Sequence, residues 1–234
     1  MPVSVVVLCV VALAGCAIVR PGSGAPDYEG NRAKVAGGAS LRAAEQATVR
    51  IRNLGCGALA TGSGVVISPT RLLTNAHVIA GAETLEISLW DGSTLEAEVT
   101  GSRRRTDLAT VDVAIDLTGE KNAAVASFAA EDPVAGDALF AFGFPGGGGF
   151  SVLDGEAIGY AEVEGVRSLL MTNKVVPGNS GGPVFDSAGQ VAGIVRAQLV
   201  ESGDGVAIPV SQVQASLASL ETGPSGARVA CGAF

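Results

Sequence analysis

Pro177-Gly178-Asn179-Ser180-Gly181-Gly182-Pro183 is the most specific stretch of this chain. Glycine on both sides of a serine lets other groups approach the backbone closely and allows successive N–H groups to converge as a nest. The plain alternative is a glycine-rich turn without chemistry. What weighs between the two lies far upstream, because the 234 residues contain a single histidine, His77. Sites built from several histidines are therefore excluded, and any imidazole chemistry runs through that one side chain.

The order of residue types narrows the fold. The same stretch satisfies Gly-x-Ser-x-Gly, the nucleophile turn of α/β-hydrolases, but there the histidine follows the serine and here none does. An Asp-His-Ser order needs an aspartate before His77, and the one available is Asp27, in a polar stretch without periodicity. What remains is His, then Asp, then Ser, the order of chymotrypsin. Residues alone leave the aspartate open among Asp91, Asp107, Asp112, Asp116, Asp132, Asp137 and Asp154.

Outward from these motifs the chain reads as β structure. Short runs rich in Val, Ile, Leu and Thr alternate with Gly, Pro, Asp and Ser clusters. Strands are expected at Thr48–Asn53, Gly62–Ser68, Arg71–Asn75, Leu85–Trp90, Thr94–Thr100 and Leu108–Val113. A second set follows at Ala138–Phe144, Ser151–Tyr160, Arg167–Val176, Gly182–Asp186, Val191–Ala197 and Gly205–Pro209. Trp90-Asp91-Gly92-Ser93 and Asp186-Ser187-Ala188-Gly189 carry hairpin-turn chemistry. Ser211–Leu220, apolar at Val213, Leu217 and Leu220, reads as a helix. Six strands on each side of a break near Leu117–Asn122 imply two similar β subdomains, although no short internal repeat is visible. Gly146-Gly-Gly-Gly149 reads as a mobile hairpin loop. A net charge of −8 argues against a nucleic-acid partner. Arg103-Arg104-Arg105 reads as a solvated loop.

Leu73-Thr74-Asn75-Ala76-His77-Val78-Ile79 resembles the histidine segment of trypsin-like serine proteases. Together with Gly178-Asn179-Ser180-Gly181-Gly182-Pro183 it resembles their bacterial branch that includes the HtrA/Deg enzymes, over about Val49 to Val213. The resemblance implies an all-β fold of two six-stranded antiparallel β-barrels, chymotrypsin-like, with a C-terminal helix, and a serine endopeptidase needing neither metal nor cofactor. Asp107-Leu108-Ala109-Thr110-Val111 resembles the family's acid segment, which gives Asp107 that role beside His77 and Ser180. The oxyanion hole then falls to the N–H groups of Gly178 and Ser180. The pocket for the residue preceding the scissile bond falls at Lys174, with walls near Arg196, Ala197, Gln198 and Gly205. A lysine there either favours acidic side chains or lines the pocket with its stem while the ammonium turns to water. Asn179 stands where animal digestive relatives carry the aspartate that pairs with a freshly cut N-terminus, so activation by that insertion is not expected. The competing reading is a non-catalytic peptide-binding module on the same fold.

The ends carry a separate message. Val3–Gly15 is an apolar run of the length of a signal-peptide core and ends in Leu13-Ala14-Gly15-Cys16, which resembles a bacterial lipobox. Lipid on Cys16 would tether an exported domain to the outer face of a cell membrane; an ordinary secretory peptide and an uncleaved anchor are the alternatives. Expected boundaries are a signal segment 1–15, a flexible tether 16–44, a protease domain 45–220 and a tail 221–234. The domain divides into one barrel at 45–118, a second at 119–210 and the helix 211–220. With Cys9 and Cys16 assigned to the signal, Cys56 and Cys231 remain, and two thiols in an exported chain point to one disulfide, with free thiols the alternative. That pair also resembles membrane-tethered actinobacterial proteases of the MarP type. About 20 residues follow Val213, too few for the PDZ domain that succeeds the protease in common relatives.

Overall fold

The computed structural model describes residues 38–55 and 57–220. Helix α1 (Gly38–Ala47) leads into β1 (Thr48–Gly55), β2 (Ala58–Ser68), β3 (Arg71–Thr74), β4 (Ala82–Ser88), β5 (Thr94–Arg103) and β6 (Leu108–Val113). A short helix α2 (Leu117–Lys121) begins the crossing to β7 (Ala138–Gly143), β8 (Ser151–Val163), β9 (Val166–Met171), β10 (Pro183–Phe185), β11 (Val191–Gln198) and β12 (Gly205–Pro209). Helix α3 (Val210–Leu220) follows directly.

Each set of six strands closes on itself as an antiparallel barrel, which leaves no open sheet edge. The first runs β1-β2-β3-β6-β5-β4 around its circumference, and the second runs β7-β8-β9-β12-β11-β10 when followed in the same sense. These are one topology used twice, so a repeat invisible in the residues is present in the strand order. The expected chymotrypsin-like, two-barrel fold is the fold of this chain.

Burial follows from the patterning. In β1, Val49 and Ile51 point inward while Arg50 and Arg52 stay half-exposed, the alternation of a strand with one face in a core. In β11 the run from Val191 to Val195 is buried throughout, because this strand has the barrel on one side and the seam on the other. Barrel one packs around Ile51, Leu72, Ile79, Ile87 and Val111, and barrel two around Leu139, Leu169, Met171 and Val195. A third cluster fills the seam. Val65, Leu73 and Leu108 from barrel one meet Phe142, Phe185, Ile194 and Ile208 from barrel two, together with Ala44 and Ala47 of α1 and Val213 and Leu220 of α3. Phe142 and Phe185 pack edge to face there with centroids 5.0 Å apart, an arrangement favoured by the ring quadrupoles.

Two local differences have physical causes. The tether expected over 16–44 overlaps α1, whose small Ala44 and Ala47 lie three apart on one face and are buried in the seam. The last expected strand residues of Arg167–Val176 leave the ladder after Met171. There the buried Asn173 turns its amide inward, donating to the carbonyls of Leu139 and Leu153 at 2.9 and 2.7 Å. The glycine run forms the loop of the β7–β8 hairpin, and its backbone is tied at two points: the Gly146 N–H donates to the Pro177 carbonyl at 2.7 Å and the Gly147 carbonyl accepts from Arg50 at 3.1 Å. The signal segment 1–15, Cys9, Cys16, Cys56, Cys231 and the tail 221–234 lie outside the described residues.

Candidate active site

His77 follows the end of β3, and Asp107 immediately precedes β6. These strands are neighbours, with Thr74 opposite Ala109, so the ladder itself brings the two side chains to one rim. Asp107 caps a 3-10 turn at Arg104–Thr106 in the left-handed region, at φ 52 and ψ 39, a conformation that Asp tolerates better than most residues. From there its carboxylate faces back across the rim. Oδ2 lies 2.8 Å from His77 Nδ1, and Oδ1 accepts from the His77 backbone N–H at 3.0 Å. An ionised carboxylate only accepts, so this contact selects, for a neutral imidazole, the tautomer with its proton on Nδ1. The Asp107 carbonyl is gripped as well, by the N–H of Ala76 at 3.1 Å and by Asn75 Nδ2 at 2.9 Å. Buried Asn53 on β1 holds the turn after His77 by donating to the carbonyls of Val78 and Ala80, both at 2.9 Å.

The other expected acids do unrelated work. Asp112 forms a two-pronged ion pair with Arg71, at 2.7 and 2.8 Å, and these hydrogen bonds hold its carboxyl below the usual carboxylate range. Asp116 caps α2 through the N–H groups of Thr118 and Gly119.

Ser180 belongs to the turn joining β9 to β10 in barrel two, and this turn is driven into the rim of barrel one. Its carbonyl accepts from the Ser63 N–H at 2.8 Å. Gly181, at φ 82, lies so close that a methyl group added there would sit 2.2 Å from Thr74 Oγ1 and 2.3 Å from the Ser63 carbonyl. Ser180 is thereby set beside the strand that leads into His77. The hydroxyl itself donates to the Arg196 carbonyl at 3.3 Å.

The backbone of this turn is selectively spent. The N–H groups of Asn179, Gly181 and Gly182 donate to the carbonyls of Val176, Val195 and Asn179 at 2.9 to 3.0 Å. Those of Gly178 and Ser180 have no backbone carbonyl partner among the described residues. The Pro177 carbonyl accepts from Gly146 at 2.7 Å, and because the peptide is trans, the Gly178 N–H points the opposite way, out of the glycine loop. Gly178 is held at φ 99, which its lack of a Cβ permits. A methyl group there would meet the Phe144 carbonyl at 2.4 Å.

Lys174 and Gln198 converge on Gly203, with Gln198 paired opposite Gly205 across β11 and β12 and Ala197 opposite Val206. The exposed Lys174 ammonium donates to Asp204 Oδ1 at 2.7 Å and to the Ser202 carbonyl at 3.2 Å at the loop after β11. Arg196 keeps its carbonyl beside Ser180 but sends its side chain elsewhere. Its Nε lies 3.7 Å from Asp107 Oδ2, while its other nitrogens bind Glu164 Oε2 at 2.6 Å and the Val163 carbonyl at 3.3 Å. It is the extra residue where the β11–β12 register shifts between Val195 and Ala197, and such a bulge re-aims a side chain.

Two neighbours went unnoticed in the sequence. Ser63, fully buried on β2, donates through Oγ to the Gly178 carbonyl at 2.7 Å and accepts from the Phe144 N–H at 3.0 Å. Arg50, on β1, reaches the Gly147 carbonyl at 3.1 Å and Ser88 Oγ at 3.0 Å. Burial holds its guanidinium below the usual arginine value, aided by Arg52 and opposed by Glu86. The small residues flanking Ser63 in Gly62-Ser63-Gly64 were the one available signal, marking a place where another backbone comes close.

Two closed barrels of equal topology, with a histidine–aspartate pair on one rim and a glycine-flanked serine driven in from the other, define the chymotrypsin-like class. A family model described as trypsin-like peptidase domain matches residues 62–194. Serine protease Rv3671c of Mycobacterium tuberculosis is 34% identical over 195 residues, covering 77% of this chain and 47% of that protein. Putative serine protease HhoB of Synechocystis is 36% identical over 165 residues, covering 66% and 38%. The crystal structure of the active form of the Rv3671c protease superposes with a TM-score of 0.73 at 29% identity, covering 82% of this chain and 88% of that one. The chain belongs to the trypsin-like peptidase domain family. It spans about half, or less, of the length of the curated relatives it matches.

Proposed function

We propose that this chain is a serine endopeptidase working through Ser180, His77 and Asp107. The observation that carries the reading is the junction of the two rims: an imidazole fixed at Nδ1 by Asp107, beside a serine whose turn leaves two N–H groups unspent. Rotation about its Cα–Cβ bond takes the Ser180 hydroxyl from the Arg196 carbonyl toward His77 Nε2. Nε2 accepts the proton as Oγ bonds to the substrate carbonyl carbon, and the N–H groups of Gly178 and Ser180 receive the oxyanion. The imidazolium then gives its proton to the leaving amine, the C–N bond breaks, and water hydrolyses the acyl-enzyme by the same route. Asp107 keeps the tautomer and stabilises the imidazolium throughout.

Ser180→Ala is expected to lose turnover by about 10⁶-fold and to lose labelling by a fluorophosphonate probe. A Ser180→Ala protein that hydrolyses peptides as well as wild type removes the reading. Its substrates are polypeptides, and the paired Lys174 favours a neutral side chain before the scissile bond over an acidic one.

The same reading has the protein exported, with lipid on Cys16 holding it to the outer face of a membrane and a Cys56–Cys231 bridge pinning the tail to the domain. Intact mass decides both, through a diacylglyceryl addition at Cys16 and a gain of two hydrogen atoms on reduction.

A further inference from the structure

The Pro177–Gly178 peptide plane carries the unspent N–H of Gly178, and the Gly178–Asn179 plane on the far side of the same Cα must also be fixed if Gly178 is not to turn. The Ser180 N–H rides on the Asn179–Ser180 plane, whose carbonyl accepts from Gly182 within the turn. The two planes that flank Gly178 are each held by their carbonyl from outside the turn. The Pro177 carbonyl accepts from Gly146 at 2.7 Å, and the Gly178 carbonyl accepts from Ser63 Oγ at 2.7 Å. Ser63 lies on β2 of barrel one. The turn that carries Gly146 is itself held to barrel one, because Arg50 Nη1 donates to the Gly147 carbonyl at 3.1 Å. Arg50 and Ser63 stand directly opposite each other in the β1–β2 register, and Arg50 stands opposite Ser88 of β4, whose Oγ steadies the second guanidinium nitrogen. Ser63 also accepts from the Phe144 N–H at 3.0 Å, which ties the first residue before the turn to the same hydroxyl.

We propose that Arg50 and Ser63 are positioning residues for the oxyanion hole: one cross-strand pair of barrel one clamps, from outside the turn, the two peptide planes on either side of Gly178 and so fixes the direction of its N–H. Neither side chain is placed to touch substrate. Gly178 is the hinge that makes a clamp necessary, since a glycine at φ 99 reaches alternative ψ values at little cost, and a half-turn of the Pro177–Gly178 plane would exchange the donor for a carbonyl oxygen. The pair therefore connects the nucleophile turn to the barrel that carries the base, independently of the His77–Asp107 contact. This inference rests on the peptidase reading above.

The test uses the full chain and an internally quenched peptide chosen from the wild-type cleavage profile, with active sites titrated by fluorophosphonate. Loss of one hole donor typically costs about 10²-fold in turnover, so Ser63→Ala is expected to lower kcat by that factor and Arg50→Met by about tenfold, with KM within about threefold. Arg50→Lys, which can still reach the Gly147 carbonyl, is expected to recover most of the loss. A peptide boronate, whose tetrahedral adduct presents an oxygen to the hole, should bind each variant more weakly by the factor that kcat has fallen. Should Ser63→Ala not fold, the half-exposed Arg50 variants decide alone. An Arg50→Met enzyme with wild-type kcat per titrated site, or one whose loss lies wholly in the titrated fraction, overturns the proposal. A wild-type protein without turnover or labelling overturns the peptidase reading instead, so the two failures are distinct.

Discussion

Barrel one and barrel two share a topology but build their halves of the site from different materials. On the barrel-one rim the work is done by side chains, with Asp107 and His77 joined at 2.8 Å, and Asn75 and Asn53 holding the surrounding carbonyls. On the barrel-two side it is done by backbone, through Gly178 and Gly181 at positive φ and a turn whose N–H groups are partly spent and partly free. A side-chain half fails by losing a polar atom and keeps its fold. A backbone half fails by gaining a Cβ and takes the packing with it. The difference follows from the fold, because the rim residues lie at strand ends already fixed by the ladder, whereas the serine turn must be pressed into a neighbouring barrel.

That contrast can be broken most severely at Asp107. Asp107→Asn preserves the shape of the side chain but lets the amide favour the wrong imidazole tautomer, and kcat should fall by about 10⁴-fold while the melting temperature changes little. Steady-state kinetics with calorimetry on the same sample tests it, and a large loss of stability with modest loss of kcat would reverse the assignment of materials. Gly181→Ala probes the opposite half. Its methyl group would meet Thr74 Oγ1 and the Ser63 carbonyl at 2.2 and 2.3 Å, and its φ of 82 is strained for any residue with a Cβ. Unfolding in denaturant should show a loss of about 3 kcal/mol, since strain at such φ adds to overpacking at a buried seam. Retention of wild-type stability there would mean that the seam is softer than its distances imply.

The smallest effect belongs to a barrel-one pair remote from the chemistry. Asp112 is held below its ordinary value by Arg71, so the pair stabilises the fold at pH above the unfolded carboxylate value of about 3.9 and is lost as pH falls through the lower folded value. Asp112→Asn should therefore cost about 1 kcal/mol at neutral pH, a figure reduced by the partial exposure of both groups, and progressively less on acidification. Thermal melts of both proteins from pH 7 to pH 3 should converge; a gap that widens in acid contradicts the sign.

Local and patterned signals carried most of the fold. Twelve strands and the last helix follow from apolar patterning and turn chemistry, in alternation where one face meets solvent, as in β1, and in unbroken apolar runs where both faces are covered, as in β11. Helix α1 was hidden since its buried residues are alanines, too small to stand out from a polar tether. In the candidate site, His77 and Ser180 stood out because their neighbours are unusual, while Asp107 needed the resemblance to be picked from its rivals. Ser63, Arg50 and Glu164 left no clear trace. Their roles depend on contacts between residues up to 115 apart, and sequence patterns encode short-range geometry only.

The seam has a consequence for how the molecule comes into being. Its cluster takes Ala44 from before barrel one and Val213 and Leu220 from after barrel two, so neither half can complete it alone. The first six strands carry His77 and Asp107 but not the serine turn. Because that turn is shaped against Ser63 and Thr74, the peptidase proposed above would gain its competence only when the two barrels dock.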